Sequence, residues 1–152
     1  MTTTIRRATL EDLSGLAQLF NQYRIFYKQD SDLTAAWQFL SERLESGEAV
    51  IFVAEENEGG LVGYTQLFPL FSSVRLARMW LLNDLFVMQS RRGKGISKLL
   101  IDAAKELAIE TNACGLLLDT AKSNTIGNKL YPAVDFKLEE STNYYFWTND
   151  KK

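Results

Sequence analysis

Between Met79 and Ala108 the chain has little freedom in what it can become. Met79-Trp80-Leu81-Leu82-Asn83-Asp84-Leu85-Phe86-Val87 reads as a buried strand, and it passes through a turn holding Gly93 and Gly95 straight into a helix. Ile96, Leu99, Leu100, Ala103, Ala104, Leu107 and Ala108 recur at helical spacing and make a single apolar face. Lys98, Asp102, Lys105 and Glu106 lie opposite, with Lys98 and Asp102 one turn apart. Downstream, Gly115-Leu116-Leu117-Leu118-Asp119-Thr120 is apolar and continuous enough for a central strand. The resulting β-α-β unit commits the chain to a mixed sheet covered by helices.

The turn also carries chemistry. It exposes backbone N–H groups at a helix N-terminus, where the macrodipole favours negative charge. Gly93 and Gly95 allow positive φ and close approach of a ligand to the backbone, and Arg91, Arg92 and Lys94 add charge. A phosphate site is the expectation. A Walker-type loop places four residues between its glycines, whereas Lys94 alone separates Gly93 from Gly95. A dinucleotide fingerprint needs a third glycine where Lys98 stands. What stays open is an Arg-x-x-Gly-x-small pattern, or a purely structural turn with basic residues for solubility.

Around this unit the elements read in order. Ile5–Ala8 is a short strand, and Leu13, Leu16, Ala17, Phe20 and Tyr23 follow on a helix that opens with Glu11 and Asp12. A second helix starts near Ser31 or Asp32, carries Leu33, Trp37, Leu40 and Leu44, and ends at Gly47. Ala49–Ala54 and Leu61–Phe68 flank Glu58-Gly59-Gly60 as a hairpin. After Pro69 a polar connection is expected to cross to Met79. A short helix spans roughly Thr125–Ala133, and two closing strands are expected near Phe136–Glu139 and Tyr144–Trp147.

Composition removes several function classes. At 152 residues with 46% hydrophobic content, the expectation is one domain over residues 1–152 with an apolar core. A net charge of −2 argues against a nucleic-acid partner held by bulk electrostatics. No apolar run is long enough to span a bilayer, and the opening Met-Thr-Thr-Thr-Ile-Arg-Arg lacks the apolar stretch of a secretory signal. A cytoplasmic protein with no membrane partner is expected. The lone Cys114 has apolar neighbours and reads as an inert core thiol. Histidine is absent, which excludes Ser-His-Asp and Cys-His catalysis and leaves no metal expected. A general base must be a carboxylate, tyrosine, lysine, terminal amine or water chain.

Arg92-Gly93-Lys94-Gly95-Ile96-Ser97 resembles the acetyl-coenzyme A pyrophosphate loop, Arg-x-x-Gly-x-Gly/Ala, of the GNAT superfamily of N-acetyltransferases, with Ser97 at the final small position. The element order resembles the GNAT fold over essentially the whole chain. That resemblance implies a mixed, mostly antiparallel, splayed seven-stranded sheet with about four helices, in the order β-α-α-β-β-β-α-β-α-β-β. It implies acetyl-CoA as co-substrate, held by Leu85, Phe86 and Val87 on the strand, by residues 92–97 of the turn and by Asn124. Asn124-Thr125-Ile126-Gly127-Asn128-Lys129-Leu130-Tyr131, closing on Asp135-Phe136, is similar to the family's Asn-x-x-Ala-x-x-Leu-Tyr…Gly-Phe segment. Asn124 would then bond the pantetheine arm, and Tyr131 would protonate the departing thiolate. Helix N-cap for Asn124 and core tyrosine for Tyr131 are the plainer alternatives.

Leu82-Asn83-Asp84-Leu85 resembles the Leu-Glu-Asp strand of the polyamine and thialysine branch, with Asn83 in place of that branch's glutamate. Two polar neighbours in an apolar strand imply either an edge irregularity or a bulge that turns one of them toward the reacting groups. Asp84, its pKa raised among apolar residues, is the candidate proton acceptor, and Asn83 would orient the amine or a water. Tyr23, Tyr27 and Asp30, with Asn83, form the candidate acceptor site through cation–π and ionic contacts, although aromatic residues at helical spacing equally suit a core. The partner expected is a small primary amine, with protein lysine or a non-catalytic acyl-CoA-binding role as alternatives. Direct transfer in a ternary complex follows from the absence of histidine and of any base near Cys114. The aromatic run Tyr144-Tyr145-Phe146-Trp147 would need cover, which suggests a homodimer.

Overall fold

The computed structural model describes residues 2–152, which form two compact units, one ending at Asp119 and one spanning Thr120–Lys152. In the first unit β1 (Thr3–Arg7), β2 (Val50–Glu56), β3 (Gly60–Ser72), β4 (Ala77–Val87) and β5 (Leu116–Leu117) lie side by side in chain order. All neighbours are antiparallel except β4 and β5, which run parallel over Trp80↔Leu116 and Leu81↔Leu117. α1 (Leu13–Phe26) and α2 (Leu33–Glu45) cover one face, where Leu16, Phe20, Ala36 and Leu40 pack on Val53, Tyr64 and Phe86. α3 (Ile96–Glu110) covers the other, with Ile96 and Leu100 against Ala54, Val62 and Val87. Val53 and Ala54, like Phe86 and Val87, are chain neighbours serving opposite cores, as the pleat requires. The central strands are buried on both faces.

Local chemistry explains the element ends. Asp12 accepts the Thr9 amide at 2.8 Å and pairs with Arg6 at 2.7 Å, so the start of α1 is tied to β1. The Arg6 guanidinium beside it holds the Asp12 carboxyl below the ordinary carboxylate value. Asp32 caps α2 by accepting the Ala35 amide, and Gly47 follows the helix at φ +67°.

Several expectations are corrected. The sheet has five strands rather than seven: the segments near Phe136–Glu139 and Tyr144–Trp147 have no strand partner among the described residues. Gly115–Thr120 is not a central strand but a two-residue edge, and hydrophobicity alone did not distinguish the two. Nor does the chain leave the sheet at Pro69; β3 continues to Ser72, with Pro69 opposite Trp80. Trp80 sends its amide the other way, to the Gly115 carbonyl at 3.1 Å, so this rung needs no N–H from Pro69 toward β4. β2 pairs with β3 only as far as Leu67, so the proline also meets no strand on its far side. On α3 the buried set includes Ile101 and leaves Leu99 43% exposed. Trp37 is likewise exposed, and Cys114 is an exposed free thiol, not a core one.

Candidate active site

β4 changes face at Asn83. The register runs Leu67↔Leu82 and then Gln66↔Asp84, so Asn83 is an extra residue with no opposite number. Before it, Trp80 belongs to the α3 side, where its indole N–H donates to Thr111 at 2.9 Å. After it, Phe86 belongs to the α1 core. One inserted residue therefore moves Asp84 and Phe86 to the face that α1 covers, because side chains alternate with period two. The carbonyl displaced from the ladder is not left bare: the Tyr23 hydroxyl donates to Asn83 O at 3.1 Å.

The bulge puts Asp84 among donors. Tyr64 O–H donates to Oδ2 at 2.8 Å, Gln66 Nε2 to the same oxygen at 3.0 Å, and Asn83 Nδ2 to Oδ1 at 2.7 Å. Asp84 is 1% exposed. Burial pushes its carboxyl above the ordinary value, while the bonds from Asn83, Tyr64 and Gln66 pull part of the way back. Burial first, and then the Asp84 charge, hold the Tyr64 hydroxyl well above its ordinary value, so it remains a donor. Asn83 is the exposed member of this group.

Beyond the bulge the edge of β4 is open. Met88 donates to Val62 O, so Phe86, two residues earlier, also faces β3, and Leu85 and Val87 face away from it. β5 has already parted from β4 at Leu81, so among the described residues no strand lies opposite the Leu85 and Val87 amides. The Val87 carbonyl accepts from Arg92 Nε at 2.8 Å, and the guanidinium lies over the Phe86 and Phe26 rings at 5.3 and 5.8 Å. Arg92 thus lines a cavity of about 220 Å³ with Gln22, Ile25, Phe26, Phe86 and Gln89.

The turn that follows fits a diphosphate. Gly93 and Gly95 stand at φ +78° and +81°, and a Cβ on either would meet nothing within 4 Å. Among the described residues the amides of Gly93, Lys94, Gly95, Ile96 and Ser97 donate to no protein acceptor; the first α3 bond at this end is Leu99 to Gly95 O. Unsatisfied amides at the positive end of a helix, with open space in front, are what an anionic group needs. Lys94 is exposed beside them. Arg91, expected to add charge here, is instead paired with the buried Glu56 at 2.7 Å, which ties the turn to the end of β2.

In the second unit α4 (Thr125–Ala133) begins at Asn124, whose Oδ1 accepts the Gly127 amide at 3.1 Å and whose Nδ2 donates to Thr120 at 3.0 Å. The cap reading describes this side chain. A Cβ at Gly127 would sit 2.6 Å from Asn124 Nδ2, so an alanine here would require the capping side chain to shift. Tyr131 meets Phe136 edge to face at 5.8 Å, and Asp135 makes the left-handed turn between them at φ +73°.

Of the acceptor-site candidates, Tyr23 joins Asn83 directly and Tyr27 packs on Tyr23 at 5.0 Å. Asp30 enters the described contacts through its carbonyl, which accepts from Arg24. Sequence reasoning missed Tyr64 and Gln66, the donors that hold Asp84. Their signal was period-two placement of polar side chains on the strand before the bulge, legible only once the register is known.

The comparisons with known proteins agree with this geometry. A family model described as Acetyltransferase (GNAT) family matches residues 13–136. The Bacillus subtilis protein YhfO, an uncharacterized N-acetyltransferase, is 46% identical over 140 residues, 92% of each chain. A crystal structure of a probable acetyltransferase superposes with a TM-score of 0.91 at 35% identity, covering 98% of this chain and 99% of that one. A ribosomal-protein-alanine N-acetyltransferase from Brucella melitensis biovar Abortus 2308 follows with a TM-score of 0.81 at 25% identity, covering 96% and 100%. With unsatisfied turn amides, an open strand edge and relatives of this kind, the chain belongs to the acetyltransferase (GNAT) family and is an N-acetyltransferase that takes its acetyl group from acetyl-CoA.

Proposed function

We propose that the acceptor is the primary amine of a small molecule, a polyamine, an amino acid or a related amine, and that transfer occurs directly in a ternary complex. The carrying observation is the bulge, which holds exposed Asn83 over a buried carboxylate and next to the open Leu85–Val87 edge. It supports kinship with the polyamine and thialysine branch, whose Leu-Glu-Asp strand Leu82-Asn83-Asp84 resembles. Acetyl-CoA supplies the thioester carbonyl and, in the coenzyme A thiolate, the leaving group. The Gly93–Ser97 amides hold its diphosphate, aided by Arg92 and Lys94. Leu85 and Val87 amides donate to the carbonyl oxygen as charge develops there. Tyr131 gives its hydroxyl proton to the departing sulfur, a role resting on the sequence pattern around α4, and Asn124 assists the pantetheine arm through its second amide proton.

Tyr23, Tyr27 and Asp30 line the acceptor side, where aromatic faces and a carboxylate suit a cationic chain. Residues 1–152 act as one catalytic domain, in the cytoplasm and as a homodimer, with exposed Tyr144–Trp147 as the surface needing cover. The test is a thiol-release assay with acetyl-CoA over polyamines, amino acids, aminoglycosides and lysine peptides. Turnover confined to small amines supports the proposal. Turnover confined to peptides would replace it with a protein substrate, the reading favoured by the name of the Brucella relative.

A further inference from the structure

We infer that Asp84 is a positioning residue: it fixes the Asn83 side-chain amide so that Asn83 Oδ1 faces outward and accepts an N–H of the attacking amine. This rests on the acetyl-transfer reading above and deepens it. An ionised carboxylate only accepts hydrogen bonds, so an amide facing it must present its NH2 group. Asn83 does so at 2.7 Å, and its Oδ1 has no donor among the described residues. Gln66 obeys the same constraint at 3.0 Å, and there the consequence is visible: Gln66 Oε1 is buried with no partner among the described residues. A buried acceptor left bare is unfavourable, so the network tolerates an orphan oxygen to keep both amides turned to the carboxylate. The Tyr64 hydroxyl, buried and held as a donor, completes the set, and the Tyr23 bond to Asn83 O anchors the backbone that carries the amide. Both Asp84 oxygens are thereby occupied and buried, so an incoming amine meets Asn83 rather than Asp84.

The chemistry that follows is specific. Asn83 accepts a hydrogen bond but cannot take a proton. The nitrogen must therefore reach the site with its lone pair free, having left its proton with solvent. It then forms the C–N bond as the C–S bond breaks, the sulfur takes the Tyr131 hydroxyl proton, the nitrogen gives up one of its two protons to water, and Tyr131 regains a proton from water. The acidic limb of kcat/KM should follow the acceptor's own amine pKa and not an enzyme carboxylate.

Two measurements test this on the full chain. In the wild type, kcat/KM is followed against pH with two acceptors whose amine pKa values differ by about two units; the acidic limb should move with the acceptor. A limb that stays in place for both acceptors would assign the proton to an enzyme group and overturn the inference. In variants, Asn83→Ala and Asp84→Asn should each raise KM for the amine about 3- to 10-fold and leave the CoA-induced thermal shift unchanged. The double variant should be no worse than Asn83→Ala alone, because Asp84 acts through Asn83. Additive losses would instead show an independent role for Asp84. Exposed Asn83 and the wild-type profile keep the test decisive even if Asp84→Asn does not fold. No thiol release with any amine would count against the acetyl-transfer reading itself, an outcome distinct from either failure.

Discussion

Replacing Gly95 by alanine separates the binding role of the turn from its structural role. Gly95 sits at φ +81°, ψ 7°, and a Cβ there meets nothing within 4 Å. The direct structural penalty is therefore the left-handed backbone alone, about 1–2 kcal/mol for a non-glycine residue. At roughly 2–4 °C per kcal/mol for a chain of this length, the melting temperature without ligand should fall by about 2–8 °C. Relief of that strain rotates the peptide units on either side, which carry the Gly95 and Ile96 amides. Losing one hydrogen bond to a charged group is worth about 1.5–3 kcal/mol, or roughly 10- to 150-fold in CoA affinity. The assay is thermal unfolding with and without CoA. With CoA at 100 times its wild-type Kd, the wild type gains about 2.7 kcal/mol, or roughly 5–11 °C. In Gly95→Ala at the same concentration the gain should drop to about 0.3–1.4 kcal/mol, so the shift falls by roughly half or more. An undiminished shift would refute the assignment of these amides to the diphosphate.

Gly63→Ala should show the opposite signature. Its Cβ would lie 2.9 Å from the Phe86 carbonyl, which cannot retreat without parting β3 from β4, and 3.2 Å from Val87 Cγ2. Overpacking of this kind should cost about 1–3 kcal/mol, read as a lower melting temperature before any ligand is added. Tyr131→Phe should lower kcat by about 10²- to 10⁴-fold while the CoA-induced thermal shift stays at the wild-type value; unchanged kcat would remove Tyr131 as the proton donor. Two carboxyls should tilt the stability–pH curve in opposite senses. Asp12, held low by Arg6, stabilises the fold above the ordinary carboxylate value of 3.8, and that contribution is lost as pH falls through its depressed folded value. Asp84, raised by burial, carries no penalty at acid pH and acquires one as pH rises from 3.8 through its folded value. Denaturant titrations at stepped pH should therefore show Asp12→Asn losing a rise of stability with pH and Asp84→Asn losing a fall.

Much of the site was legible along the chain. Strand, turn and helix from Met79 to Ala108 appear where the apolar spacing and the two glycines put them, with both glycines at positive φ. Asp32 as a cap and Gly47 after α2 were likewise readable, because capping acts within a few residues. The same locality explains why Asn124 emerges as a cap, its side chain folded over Gly127.

What the amino-acid order alone determined, then, is each element whose signal is carried by near neighbours: the helix faces, the caps and the amide-rich turn. Tertiary structure decided the rest. Leu116–Leu118 is apolar enough for a central strand, yet position in a sheet depends on which partners are left, and among the described residues only β4 pairs with it. Asn83 and Asp84 look alike as polar interruptions of one strand. A register shift across β3 buries one and exposes the other, since pairing between distant residues, and not local preference, sets which face each side chain takes.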